Sequence, residues 1–338
     1  MSARFCREVG PKIKDESDSD SMRIHQITLP TPFDVGPVNV YLVLDEPLTL
    51  IDTGPKTPEA LDALRDGLRR AGVRPLDLQR IVLTHTHEDH CGLARTLLNE
   101  AREAEVFVHG WETGHLASRL AYEEYRALLA RAGVPNGVIE AMRKLYDGVR
   151  RYADGLEPDQ WRELRDEEEL EFASGTLRVV HTPGHTPGSC SFVREADRTV
   201  IAGDCVLKRI TPNPILAPDP LNPRRRFRSL EEYLVSLARL RNFAPTLVYG
   251  GHGEPVNDFE ELFTRYLRQV RERQAEVLRL VPKAGATAWE LSALLFPEVD
   301  NVHRFLALSE TVAHLDLATT EGKLRIEQRE GEEVYMPS

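Results

Sequence analysis

The chain has 338 residues, 29% of them charged, a formal net charge of −11 and a mean hydropathy of −0.37. That length accommodates one large domain and a smaller one, and the composition is that of a soluble globular protein. The acidic balance disfavours general nucleic-acid binding, and no apolar run approaches the ~20 residues of a membrane span.

Residues 1–21 are polar, turn acidic toward their end and lack the apolar core of a signal peptide, so they read as a disordered tail. The fold-like pattern starts at Met22, which also suits a natural start. The four cysteines, Cys6, Cys91, Cys190 and Cys205, have no CxxC spacing, which argues against a zinc ribbon or a disulfide framework. Without an export signal the expected compartment is the cytoplasm, and Cys91 and Cys205 read as small buried hydrophobes.

From Met22 the elements follow in order. NVYLVLD and LTLIDTG predict two strands around Glu46-Pro47, and TPEALDALRDGLRRAG a helix closed by Gly72. QRIVLTH is a strand that runs into a histidine cluster, CGLARTLLNEA a helix and AEVFVHG a strand, the alternation of a layered α/β protein. About residues 111–165 the rhythm changes to a helical insertion of two or three helices, interrupted at Gly133-Val134-Pro135. Hairpins return, turned at Ser174-Gly175 and Ala196-Asp197, and TLVYGG is a further strand. The prolines of ITPNPILAPDPLNPRRRFRS predict a long irregular loop.

Residues 259–338 read as a second, small domain. A long amphipathic helix (FEELFTRYLRQVRERQAEVLRLV) is followed by a short one opened by Thr287 and a third closed by Gly322. Two strands about Glu330-Gly331 complete the helix-helix-helix-hairpin order of a winged helix.

The segment LTHTHEDHCG places His85, His87, Asp89 and His90 within six positions. Alternate side chains of an extended chain share a face, so His85 and His87 suit one ion, while Asp89 and His90, beyond the bend, suit a neighbouring one. His185 in TPGHTPGS, Asp204 in AGD and His252 in GGHG are further metal-capable residues near strand ends, beside glycines that permit close backbone approach. Imidazole and carboxylate donors suit a borderline ion such as zinc.

These four separated motifs resemble, in order, the motif series of the metallo-β-lactamase superfamily, and LTLIDTG with Asp52 resembles the strand-turn behind its metals. The resemblance spans about residues 22–256 and implies a four-layer αββα sandwich, here a catalytic domain over residues 22–258. It implies that His85, His87 and His185 hold one divalent ion, that Asp89, His90 and His252 hold a second, and that Asp204 bridges them. Zinc is the expected metal, with manganese or iron as alternatives. Gly250 stands where many relatives have proline, and His87 where diiron oxygen-reducing relatives carry glutamate, which favours a hydrolase. His25, His109, His115, His181, His303 and His314 read as ordinary surface or core groups.

The implied chemistry is attack by a hydroxide bridging the two metals on a carbonyl or phosphoryl centre, with Asp89 or Asp204 orienting it. Three functions follow. The first is hydrolysis of a small-molecule ester or thioester, as in hydroxyacylglutathione hydrolases. The second is endonucleolytic cleavage of single-stranded RNA, because LSETVAHLDLATTEGKL resembles the tail of the β-lactamase-like protein 2 subgroup. The third is a winged-helix binding protein with a vestigial catalytic domain, which an intact ligand set argues against. The short stretch from Asp204 to His252 leaves no room for the inserted domain of β-CASP nucleases. Residues 283–338 carry ten acidic and five basic side chains, which favours packing or homodimerisation over phosphate binding. Lys208, Arg209 and the run Arg224, Arg225, Arg226 and Arg228 are candidate anion-binding groups, with Lys208, Arg225 and Arg226 foremost. In the insertion, Tyr122, Tyr125, Leu128, Met142 and Tyr146 read mainly as its own core, and secondly as a cap over the site.

Overall fold

In the computed structural model of the chain, residues 22–117, 122–301 and 303–338 are described; the expected disordered tail lies outside them. The alternating apolar runs RIHQITL and VNVYLVL pair as antiparallel strands β1 (Arg23–Leu29) and β2 (Val38–Leu44). Next come β3 (Thr49–Ile51), antiparallel to β2, and the parallel strands β4 (Arg80–Val82), β5 (Glu105–His109) and β6 (Trp161–Leu164), in the order β1-β2-β3-β4-β5-β6. Helices α1 (Pro58–Arg70), α2 (Glu88–Cys91) and α3 (Ala94–Glu100) occupy the connections. The Thr57 hydroxyl caps α1 by accepting from the Ala60 amide at 3.1 Å. Leu64 and Leu68 of α1 and Leu97 of α3 bury against Leu42, Leu50 and Ile81 of this sheet.

The insertion carries α4 (Thr113–Leu116), α5 (Tyr122–Arg131) and α6 (Asn136–Val149). Its expected helical stretch ends early, because Trp161–Leu164 is strand β6 of the first sheet. A four-residue strand without strict alternation at a sheet edge offers little periodicity to read.

The second sheet is built from β7 (Glu169–Phe172), β8 (Gly175–His181), β9 (Cys190–Arg194) and β10 (Thr199–Gly203). The proline-rich segment is not wholly irregular: β11 (Pro218–Asp219) and β12 (Asn222–Arg226) form a two-stranded ribbon, where proline is tolerated at an edge. Strand β13 (Leu247–Gly250) then pairs in parallel with β10, giving the order β13-β10-β9-β8-β7. Helices α7 (Ser229–Asn242) and α8 (Phe259–Leu280) cover this sheet through Leu237, Leu240, Phe259 and Tyr266. Tyr41, Val43, Ile51 and Val82 of the first sheet meet Val179, Phe192 and Ile201 of the second. The layers are therefore helix, sheet, sheet, helix, as expected.

Beyond α8 lie β14 (Ala286–Thr287), α9 (Ala288–Leu295), α10 (Phe305–Thr320), β15 (Leu324–Arg329) and β16 (Glu332–Pro337), with the strands ordered β14-β16-β15. Thr287 and Glu290 form a reciprocal capping box on α9. The first half of α8 packs with α7 against the second sheet, whereas Val277 packs with α9 and α10. Among the described residues, the insertion does not bury a core of its own: Leu128, Leu129, Ile139 and Met142 share one cluster with Val277, Leu291, Leu308 and Leu315. The Trp289 amide donates to the Ala132 carbonyl at 2.9 Å, and Gly133 has φ +85°. A Cβ at position 133 would lie 2.7 Å from the Thr287 side chain, so glycine serves both the turn and the contact. Among the described residues, no helix is long and apolar enough to cross a membrane.

The arginine run is divided by the strand. On β12 Arg225 is exposed, while Arg226 turns inward, its Nε 2.6 Å and 2.9 Å from the Asp316 carboxylate oxygens and its guanidinium also bonded to Glu333 and to Tyr335 Oη. Arg228 reaches Asp316 at 2.8 Å. The expected substrate-binding role of Arg226 is thus not what the fold uses it for. Removing one partner of a buried ion pair strands the others, at a cost of ~3–5 kcal/mol. Arg226→Met is expected to lower the stability measured by urea unfolding by that much, with KM for any substrate little changed.

Candidate metal centre

The site is a meeting of chain segments at one edge of both sheets. His85 and His87 follow β4, while Asp89 and His90 lie in α2. His185 lies in the turn after β8, Asp204 directly follows β10, and His252 lies just past the end of β13. Because β10 and β13 are parallel, and β8 and β10 each pair antiparallel with β9, the segments leaving β8, β10 and β13 emerge on the same side.

All seven side chains converge. His87 Nδ1 stands 3.0 Å from His85 Nε2 and 3.0 Å from His185 Nε2. Asp89 Oδ2 is 3.4 Å from His252 Nε2. Asp204 lies between the groups, with Oδ1 3.4 Å from His90 Nε2 and Oδ2 3.6 Å from both His185 Nε2 and His252 Nε2. Three overlapping triads result, each with its donor atoms within 4.8 Å of one another: His85–His87–His185, His85–His90–Asp204 and Asp89–His90–His252.

Four of the five imidazoles have their outer nitrogens engaged. His90 Nδ1 donates to Asp52 Oδ2 at 2.8 Å, and His85 Nδ1 bonds Thr84 Oγ1 at 3.1 Å, whose hydroxyl donates to Asp52 at 2.8 Å. His185 Nδ1 donates to the Asn213 carbonyl and His252 Nδ1 to the Pro37 carbonyl, each at 2.9 Å. A neutral imidazole with its outer nitrogen protonated presents a lone pair inward, the state a metal requires. Among the described residues, His90 Nε2, His252 Nε2 and Asp204 Oδ1 are buried with no hydrogen-bond partner, so the donor set fits a borderline divalent cation.

Burial pushes His85 and His87 well below the ordinary imidazole pKa, and neighbouring imidazoles add to it. For His252, burial works the same way, but the Asp204 carboxylate outweighs it and the pKa rises to about 9. His90 is likewise raised against its burial by Asp204, Asp89 and Asp52. Asp204 is held well below the carboxylate range, because His90 and His252 outweigh a burial that favours its neutral form. Protons or a divalent cation can balance the buried carboxylates here, so metal uptake by this half would release protons.

Of the expected substrate contacts, Lys208 lies beside the His252 loop, its Nζ 2.9 Å from Glu254. Arg225 sits exposed on β12. The carbonyls of Pro37 and Asn213, which orient two imidazoles, carried no sequence signal, since any residue supplies a carbonyl. The Asn213 amide also donates to the Leu306 carbonyl at 3.0 Å, placing the start of α10 two hydrogen bonds from His185. Gly251 did carry a signal in GGHG: a Cβ there would lie 2.1 Å from Asp204 Oδ1 and 2.7 Å from His90 Cε1.

An αββα sandwich with such a His/Asp cluster along one sheet edge defines a metallo-hydrolase class. The model of the metallo-beta-lactamase superfamily matches residues 33–252, and the chain belongs to that superfamily. It is 33% identical over 300 residues to the probable metallo-hydrolase YqjP of Bacillus subtilis (strain 168), covering 87% of this chain and 92% of that one. A beta-lactamase-like protein 2 homolog of Caenorhabditis elegans is 24% identical over 254 residues, 75% of this chain and 68% of that one. The crystal structure of the metallo-beta-lactamase family protein TTHA1429 from Thermus thermophilus superposes with a TM-score of 0.79 at 30% identity, over 93% of this chain and 98% of that one. A beta-lactamase domain protein from Burkholderia ambifaria gives 0.78 at 27% identity, over 93% and 92%.

Gly251→Ala must displace Asp204 or the His252 loop. Its expected effect is a loss of divalent-metal affinity of about tenfold or more, measured by competition with a chromophoric chelator.

Proposed function

We propose that the chain is a binuclear metal-dependent hydrolase, with zinc the preferred ion, acting on an ester or thioester of a small anionic molecule. The observation that carries this is the convergence of seven metal-capable side chains into overlapping triads, with Asp204 at the centre. His85, His87 and His185 would hold one ion; Asp89, His90 and His252 the other; Asp204 both. When bound, such a pair supplies Lewis acidity and brings the pKa of a water toward neutrality.

The chain's own residues do the rest. Asp52 orients His90 directly and His85 through Thr84, and the Asn213 and Pro37 carbonyls orient His185 and His252. Burial tends to neutralise Asp89, but the charge of His90 and the bond from His252 hold its pKa low, so its oxygens remain acceptors. It can accept a hydrogen bond from an attacking water at Oδ and so orient it. Lys208, held by Glu254 at the His252 loop, and Arg225, exposed on β12, are the proposed grip on an anionic group.

The acidic balance of the chain supports a small substrate over nucleic acid. A second reading, cleavage of single-stranded RNA, is favoured by the exposed pair Arg224 and Arg225. The order of α9, α10, β15 and β16 supports a winged helix, for which we propose a packing or homodimerisation role; its buried Asp316 and partly buried Glu333 are spent on Arg226.

Asp204→Asn is expected to lower bound metal and hydrolysis together while circular dichroism is unchanged; full activity in this variant sinks the two-metal proposal. A panel of thioesters, lactones and labelled single-stranded RNA, run on metal-loaded wild type beside Asp204→Asn, decides the substrate class. Arg225→Ala should raise KM severalfold for an anionic ester and spare a neutral one; an equal effect on both removes the anion grip.

A further inference from the structure

Glu112 ends the short turn Gly110–Glu112 that follows β5, at the entrance to the insertion, and it is buried. Its Oε2 accepts from the Thr86 amide at 3.2 Å and the Thr86 hydroxyl at 2.6 Å. Its Oε1 accepts from the Thr186 hydroxyl at 2.6 Å and the Gly188 amide at 2.9 Å. A carboxylate offers about four acceptor positions, so this one is saturated. Bonds to an ionised acceptor are the stronger kind, and burial strengthens them further.

The location of the donors gives the arrangement its meaning. Thr86 stands between His85 and His87, and Thr186 directly follows His185. These three histidines are the ones whose inward nitrogens stand 3.0 Å apart through His87. One side chain therefore grips, from behind, both loops that carry this set. The grip is tight: a Cβ at Gly188 would lie 2.7 Å from Glu112 Cγ. Asp89, His90 and His252 take no part in these bonds; His90 is tied to Asp52 and His252 to the Pro37 carbonyl.

We propose that Glu112 is a positioning residue that sets the spacing of His85, His87 and His185, and so the affinity of that set for its ion. Asp52 serves His90 of the other set and, through Thr84, His85. The proposal rests on the two-metal reading above. It gives the three-histidine set a support of its own that enters from the insertion, beside the Asp52 bonds that reach His85 as well as His90.

The test is a stepwise titration of the full-length apoprotein with Zn2+ against a chromophoric chelator, repeated with Co2+ to follow its visible spectrum. His185→Ala identifies the step that belongs to the three-histidine set. Glu112→Gln keeps the shape but turns an NH2 toward one pair of donors, and flipping the amide only exchanges the pairs. It is expected to weaken that step about 10–100-fold and shift its Co2+ bands, leaving the other step nearly unchanged, while the unpaired donors lower the apoprotein Tm by a few degrees. Thr186→Val removes one donor independently; it should weaken the same step and add little to Glu112→Gln, and it carries the test alone if Glu112→Gln does not fold. Unchanged titrations, or equal weakening of both steps, overturn the positioning role. A wild type that takes up no metal overturns the two-metal reading instead.

Discussion

Asp89 and Asp204 are buried carboxylates packed among imidazoles, and an isolated buried charge is too costly for a folded protein to keep. Most of the architecture follows from balancing that charge. The two sheets bring the ends of β4, β8, β10 and β13 to one edge, so that residues far apart in the chain supply five imidazoles and the two carboxylates within a few ångströms. Four of these imidazoles, those of His85, His90, His185 and His252, are then fixed from outside by Thr84, Asp52, Asn213 and Pro37. Gly251 completes the arrangement by lacking a side chain where Asp204 and His90 need the space.

Around this edge the remaining parts of the chain interlock rather than append. The insertion buries its apolar face in a cluster shared with α9 and α10. Arg226 joins the ribbon after Asp204 to Asp316 of α10 and Glu333 of β16. Asn213, on the same crossing segment, touches His185 on one side and Leu306 on the other. Changes in the C-terminal elements therefore have a short physical route to one imidazole of the centre, through groups that bear no ligand themselves.

Much was legible from the residues alone. The run HTHEDH, and the single His185, Asp204 and His252 near apolar strand ends, announced themselves because strand periodicity and adjacent glycines mark where a side chain can emerge at a sheet edge. The capping threonines Thr57 and Thr287, the hairpin turns and the helix closed by Gly322 were equally plain, since each depends on neighbours within four residues. Strand β6 and the β11–β12 ribbon were not, because both are short and hold their place by pairing with distant or proline-rich partners.

The sequence by itself determined the donor types, their order and the local elements that carry them, because these follow from composition and short-range periodicity. Only the tertiary structure decided which arginine faces solvent and which is buried, that the insertion shares its core with the C-terminal helices, and that Glu112 joins the loops of His85, His87 and His185. Those outcomes depend on pairings between residues tens to hundreds of positions apart, where burial, not local pattern, sets whether a charged group binds a substrate or a neighbour.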